Sequence, residues 1–128
     1  MTASVDASAI LAIALSEPDS DRYVALLNEF DVRVMNPVNY WEALVRMHKE
    51  SGDTGVSKLE ALMSRFGIVV VPATADQARL AAATFARYGK SHPAKLNLGD
   101  CFAYATARSY SAKLLFKGND FPLTDILA

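Results

Sequence analysis

Cysteine occurs once in this chain, at Cys101, which excludes an internal disulfide and any metal site built from several thiolates. The two histidines, His48 and His92, lack zinc-type spacing to each other or to Cys101. Neither a phosphate-cradling P-loop nor a GxGxxG fingerprint occurs. Charge of one sign is missing too: the formal net charge is −1, so no overall basic field announces a polyanionic partner. A nucleic acid would have to be held by a local patch. No apolar run approaches the roughly 18 residues of a membrane span and no leader-like start is evident, so the expectation is a soluble, cytoplasmic protein with no membrane partner. Glycine and proline are thinly spread, and no stretch reads as a linker, a repeat or low-complexity sequence.

What is present is an ordinary globular composition, 52% hydrophobic and 21% charged in 128 residues, which suits a single domain over 1–128. Local signals predict a weak strand at 2–5, helices over 8–15 and 21–30, and a strand at 32–35. Asn36-Pro37 reads as an N-cap followed by proline at the first helical position, opening a helix that runs to about Ser51-Gly52. Another helix over 57–66 ends at Gly67. The β-branched run Ile68-Val69-Val70-Val71 reads as a strand buried on both faces. Thr74 and Gln77 have the spacing of a capping box for a helix ending at Gly89. A polar loop, the helix that Asp100 opens, and a strand at 113–116 complete the order. Strands alternating with helices predict an α/β fold, a three-layer sandwich with a mostly parallel central sheet flanked by helices.

Four acids stand out against this background: Asp6 after the first strand, Glu42 inside the apolar stretch 38–45, Asp100 at a helix start, and Asp120 after the last strand. Parallel sheets bind ligands outside the carboxyl ends of their strands, so these distant acids can meet at one edge. Buried carboxylates need a partner, and a hard divalent cation is the simplest one. Each acid also has a plainer reading. Asp6 could be a turn residue with Ser8 capping the first helix, and Glu42 could pair with Arg46 four residues on. Asp100 could be an N-cap, and Asp120 ordinary turn chemistry within Gly118-Asn119-Asp120. The reading rests on the set.

Between Gln77 and Gly99 there is no acidic residue, while Arg79, Arg87, Lys90, His92 and Lys95 are there, and Lys117 precedes Asp120. A basic strip beside an acidic pocket suits phosphodiester cleavage, although each cation alone also suits a solvated surface. Cys101 reads as a buried thiol, and Trp41, Phe102 and Tyr104 as core.

With these residues in place, the chain resembles PIN-domain ribonucleases, and in particular the VapC-type toxins of type II toxin–antitoxin modules. The pieces are Val5-Asp6-Ala7-Ser8-Ala9, Asn39-Tyr40-Trp41-Glu42, the stretch 96–105 around Gly99-Asp100, and Lys117-Gly118-Asn119-Asp120-Phe121 with Thr124-Asp125-Ile126. The resemblance implies a PIN-like fold and an endoribonuclease using Mg²⁺ or Mn²⁺. It implies RNA as substrate, a cognate antitoxin as inhibitor, and a homodimer. By position it assigns Asp6, Glu42, Asp100 and Asp120 to metal binding and catalysis, with Ser8 orienting Asp6. Ala7 and Asn39 stand where threonine is common in the family. Adjacent acids often precede the final Phe, whereas here the pair is Asn119-Asp120, so Asp120 is expected to take the role and Asn119 to support it. The cations Arg79, Arg87, Lys90, Lys95 and Lys117 are the expected RNA contacts.

Two other classes compete. A phospho-acceptor receiver domain is also α/β and acidic, but needs an acceptor Asp after a middle strand, where this chain has Pro72-Ala73. A catalytically weak or inactive RNA- or protein-binding relative would keep the fold and use the basic strip; Asn119 is the feature that favours it.

Overall fold

The computed structural model describes residues 1–119 and 121–126. Four short strands, β1 (Thr2–Val5), β2 (Val32–Met35), β3 (Ile68–Val70) and β4 (Lys113–Leu115), form one sheet in the order β3-β2-β1-β4, with every pairing parallel. Helices α1 (Ala7–Ala14), α2 (Ser20–Asn28) and α3 (Pro37–Arg65) cover one face of the sheet. Helices α4 (Ala75–Tyr88) and α5 (Leu98–Ser109) cover the other, and a 3₁₀ turn at Phe121–Leu123 follows β4. This is the expected three-layer sandwich.

The period of two in a strand explains the layering. Leu115 packs with Ile10, Leu27 and Met47 under α1–α3, while its neighbour Leu114 packs with Leu96, Cys101 and Phe121 under α4 and α5. Both faces are therefore covered at β4, one edge of the sheet. At the opposite edge they are not: Val69 and Val70 of β3 are 58% and 37% exposed, so the expectation that this β-branched run is buried on both faces is wrong. Branching favours a strand; it does not say whether a further strand or helix will cover it.

Helix α3 begins as its sequence predicts. The Asn36 side chain accepts from the Val38 N–H at 2.8 Å, and Pro37 occupies the first turn. The run is broken at Ser51 and Gly52. Gly52 sits at φ 57°, a conformation that costs glycine little, and helix resumes directly afterwards rather than at 57. The Tyr40 hydroxyl donates to Glu60 across this break. The N-terminus of α3 is fixed from the other side too, since Asn36 Nδ2 donates to Gln77 Oε1 (3.1 Å) and Thr106 Oγ1 (3.0 Å). Thr74 accepts from the Gln77 N–H at 3.1 Å as a capping box requires, but the Gln77 side chain is spent on Asn36. These bonds aim the first turns of α3, which carry Asn39 and Glu42.

Trp41, read as core, is 62% exposed, unlike Tyr104 at 5%. At 100° per residue it lies about 200° around the helix from Asn39 and from Ala43, both fully buried. Among the described residues, no helix is long and apolar enough to cross a membrane.

Candidate active site

Chain order reverses between β1 and β4, the kind of switch point where parallel sheets leave a crevice beyond their strand ends. Asp6 stands there, and its N–H donates to the Leu115 carbonyl at 2.9 Å, extending the pairing with β4 by one residue. Its backbone is extended, and its side chain, not that of Ser8, caps α1. Oδ2 accepts from the Ser8 N–H at 3.1 Å and from the Ser8 hydroxyl at 2.5 Å. Ser8 Oγ accepts in turn from the Lys117 N–H at 2.9 Å, so Ser8 orients Asp6 while tying α1 to the end of β4. Asp6 is only 6% exposed. Burial, helped by the Glu42 charge and opposed by the Ser8 bonds, pushes its carboxyl up to about 6.

The link between the acids is Asn39. Its amide nitrogen, fully buried, donates to Glu42 Oε1 at 3.0 Å and to the Gly99 carbonyl at 3.0 Å, and lies 3.4 Å from Asp6 Oδ1. Glu42 thus turns inward on α3 to meet Asn39, and Arg46, its expected partner, pairs instead with Glu50 at 3.1 Å. Burial raises the Glu42 carboxyl, and the Asp100 charge adds to the rise. The Glu42 carboxylate rests on Gly99: a Cβ built there would stand 2.3 Å from each carboxylate oxygen.

Asp100 occupies the third residue of α5 rather than its cap. Asn97 is the cap, accepting from the Asp100 N–H at 2.9 Å, while Asp100 Oδ2 accepts from the Asn97 N–H at 3.0 Å. This reciprocal box holds the carboxylate at the helix N-terminus, near enough for its charge to act on Glu42. Asp6, Glu42 and Asp100 are therefore brought to one end of the sheet. Asp120 lies outside the described residues. Asn119 is exposed and lines a groove of about 540 Å³ along β4 with Asp19, Arg22 and Tyr23, a groove that Asp6, Glu42 and Asp100 do not line.

The donor set suits a hard divalent cation. It consists of carboxylates, with Asp6 raised by burial and the Glu42 charge, and Glu42 by burial and the Asp100 charge. Beside them is Asn39 Oδ1, a buried amide oxygen without a hydrogen-bond donor among the described residues. Among the described residues, no three acidic, histidine or cysteine side chains already close around a single point. Thiol chemistry does not fit, because burial pushes Cys101 up to about 11 and it lies inside the α4–α5 core.

The predicted cations divide. The Lys117 ammonium is held by Asp19 at 3.0 Å and Glu17 at 3.3 Å, and Arg79 is paired with Asp76. Arg87 reaches Asp125 at 3.5 Å and lies over the Tyr88 ring. Lys90 and Lys95 stand exposed between α4 and α5. Gly99 and Asn97 belong to the stretch 96–105 that carries the resemblance, but nothing in the sequence assigns either one a role of its own. A glycine inside the first turn of a helix, where it weakens the helix, is the one signal that could have pointed to a close approach.

Residues 3–127 match the PIN domain family. A ribonuclease VapC of Mycolicibacterium smegmatis is 38% identical over 125 residues, covering 97% of each chain. Ribonuclease VapC28 of Mycobacterium tuberculosis is 40% identical over 124 residues, 95% of this chain and 93% of that protein. Among solved structures, Mycobacterium tuberculosis VapC20, described as a sarcin–ricin loop cleaving toxin, aligns with a TM-score of 0.80. The alignment covers 98% of this chain and 96% of that one, at 14% identity. VapBC2 from Rickettsia felis, bound to a promoter DNA fragment, aligns at 0.74 over 99% of this chain and 96% of that one, also at 14% identity. The structural matches speak for the fold, and the sequence matches for the family. The chain belongs to the PIN domain family and, within it, to the VapC ribonucleases.

Proposed function

We propose that this protein is a metal-dependent endoribonuclease in which Asp6, Glu42 and Asp100 hold Mg²⁺ or Mn²⁺, and that it acts as the toxin of a toxin–antitoxin pair. The observation that carries the reading is the convergence of Asp6 and Glu42 on the Asn39 amide, with the Asp100 charge acting on Glu42. When bound, a divalent ion lowers the pKa of a water and offsets charge developing on a phosphodiester. The chain's own residues supply the geometry. Ser8 fixes one oxygen of Asp6, Asn39 holds Glu42 inward, and Gly99 leaves room for the Glu42 carboxylate. Asp120 is the proposed fourth acid. Lys90 and Lys95, exposed beside α5, are the best placed of the cations to meet an RNA backbone.

Support for the toxin role comes from the relatives. Solved neighbours include a toxin–antitoxin complex from Klebsiella pneumoniae and the VapBC2 assembly. By the same resemblance the protein forms a homodimer and is held inactive by an antitoxin. Induced expression in a bacterial host tests the toxin reading. The wild type arrests growth, Asp6→Asn and Asp100→Asn do not, and a co-expressed cognate antitoxin relieves the arrest. Equal arrest by all three chains at matched protein levels contradicts it.

A further inference from the structure

Two large exposed apolar side chains each adjoin, along the chain, a residue of the carboxylate site. Trp41, the only tryptophan, directly precedes Glu42 in α3 and is 62% exposed. Leu98 directly precedes Gly99, whose Cα rests against the Glu42 carboxylate, and is 67% exposed. Each belongs to a different helix, and each is one residue from the Glu42–Gly99 contact. Helix α3 buries Asn39 and Ala43 on one side and leaves the indole open on another. One helical step of about 100° and 1.5 Å separates Trp41 from Glu42 along α3.

Single-stranded RNA is recognised through unstacked bases laid on aromatic side chains, and every base offers a π-face to such a platform. We propose that Trp41 is a positioning residue on which an unpaired RNA base stacks, holding the strand so that an adjacent phosphodiester meets Asp6 and Glu42. This rests on the ribonuclease reading. A protein contact through the same indole is the competing use. The position one helical step from Glu42 favours RNA, because the strand that is cut must pass the carboxylate that Trp41 adjoins in α3.

Because Trp41 is the only tryptophan, its emission reports on the platform directly. The purified chain in EDTA is titrated with a mixed-sequence single-stranded RNA 10-mer, and with a 10-mer of the same backbone carrying abasic positions. The expected result is saturable quenching by the base-bearing RNA and little by the abasic one. By anisotropy of labelled RNA, Trp41→Ala weakens binding roughly 5- to 150-fold, the range for one lost stacking contact, while Trp41→Phe restores most of it. Unchanged emission with base-bearing RNA, or equal affinity for Trp41→Ala, overturns the proposal. So does a change in sedimentation mass in Trp41→Ala with RNA affinity intact, which makes the indole a protein contact. Quenching without any cleavage in Mn²⁺ leaves the platform standing and removes the ribonuclease reading. Cleavage without quenching does the reverse.

Discussion

Glu42 and Gly99 touch: the carboxylate of one lies where a Cβ of the other would be, 2.3 Å from both oxygens. An acid on α3 is thereby brought to the N-terminus of α5 because one residue there has no side chain. Gly99→Ala should separate activity from stability. Alanine favours helix by up to about 1 kcal/mol, and the atoms it meets are the far end of a flexible side chain, so the melting temperature should hold or rise slightly. Glu42 must move aside, and a displacement of about 1 Å is enough to lower turnover by about 10²-fold. Thermal melting and cleavage rates on the same preparation check this.

Asn39→Ala removes the one donor shared by Glu42, Gly99 and Asp6. A buried carbonyl and a half-buried carboxylate lose their partner, which should cost about 1–3 kcal/mol. The urea midpoint should fall with the slope of the transition unchanged. An unaltered midpoint would mean that solvent takes over these bonds.

Asp6 makes the chain without metal sensitive to pH. Its carboxyl titrates near 6 in the folded state against 3.8 in the reference state, so between these values the fold retains the extra proton. Stability therefore falls as pH rises through about 4 to 6, by about 3 kcal/mol in all, and levels off above. Glu42, also raised, adds a change of the same sign. Denaturant unfolding in EDTA across this range should show the decline, and Asp6→Asn should flatten most of it. An equal slope in the variant would contradict the assignment.

Asp125 ties the segment after β4 to α4 and α5. Its carboxylate accepts from the Tyr104 hydroxyl, from Arg108 at 2.7 Å and from Arg87 at 3.5 Å, while its N–H donates to the Tyr88 hydroxyl at 3.3 Å. The group is partly exposed, so Asp125→Ala should cost only about 1 kcal/mol. The loss should be local. Hydrogen exchange should quicken at 121–126 and stay unchanged in α1, where Ile10 is fully buried.

Local chemistry made much of the fold legible. Asn36-Pro37 marks a helix start by its bonding capacity, and Ser51-Gly52 marks the break because glycine accepts the φ required there. Of the four acids, Asp6, Glu42 and Asp100 share one end of the sheet, and Asp120 lies outside the described residues. The misreadings have one physical origin: residue type does not say what lies opposite. Ile68 to Val71 has the branching of a buried strand, yet β3 is an edge. Trp41 is the most apolar-looking residue of its turn, yet the polar Asn39 takes the inward position, because Asp6, Glu42 and the Gly99 carbonyl give its amide partners. Asn97 outcompetes Asp100 for the cap, since an N-cap and the third helical residue can serve each other reciprocally. Gly99 contributes empty space, which appears only when another helix's side chain is seen to fill it.

The most direct measurement is cleavage of a structured RNA pool by purified, antitoxin-free protein, with Mn²⁺, with EDTA, and with Asp100→Asn in Mn²⁺. Carboxylate-held metal chemistry predicts cuts at discrete positions in the first reaction and none in the other two. The same cuts persisting in EDTA or in Asp100→Asn would contradict it.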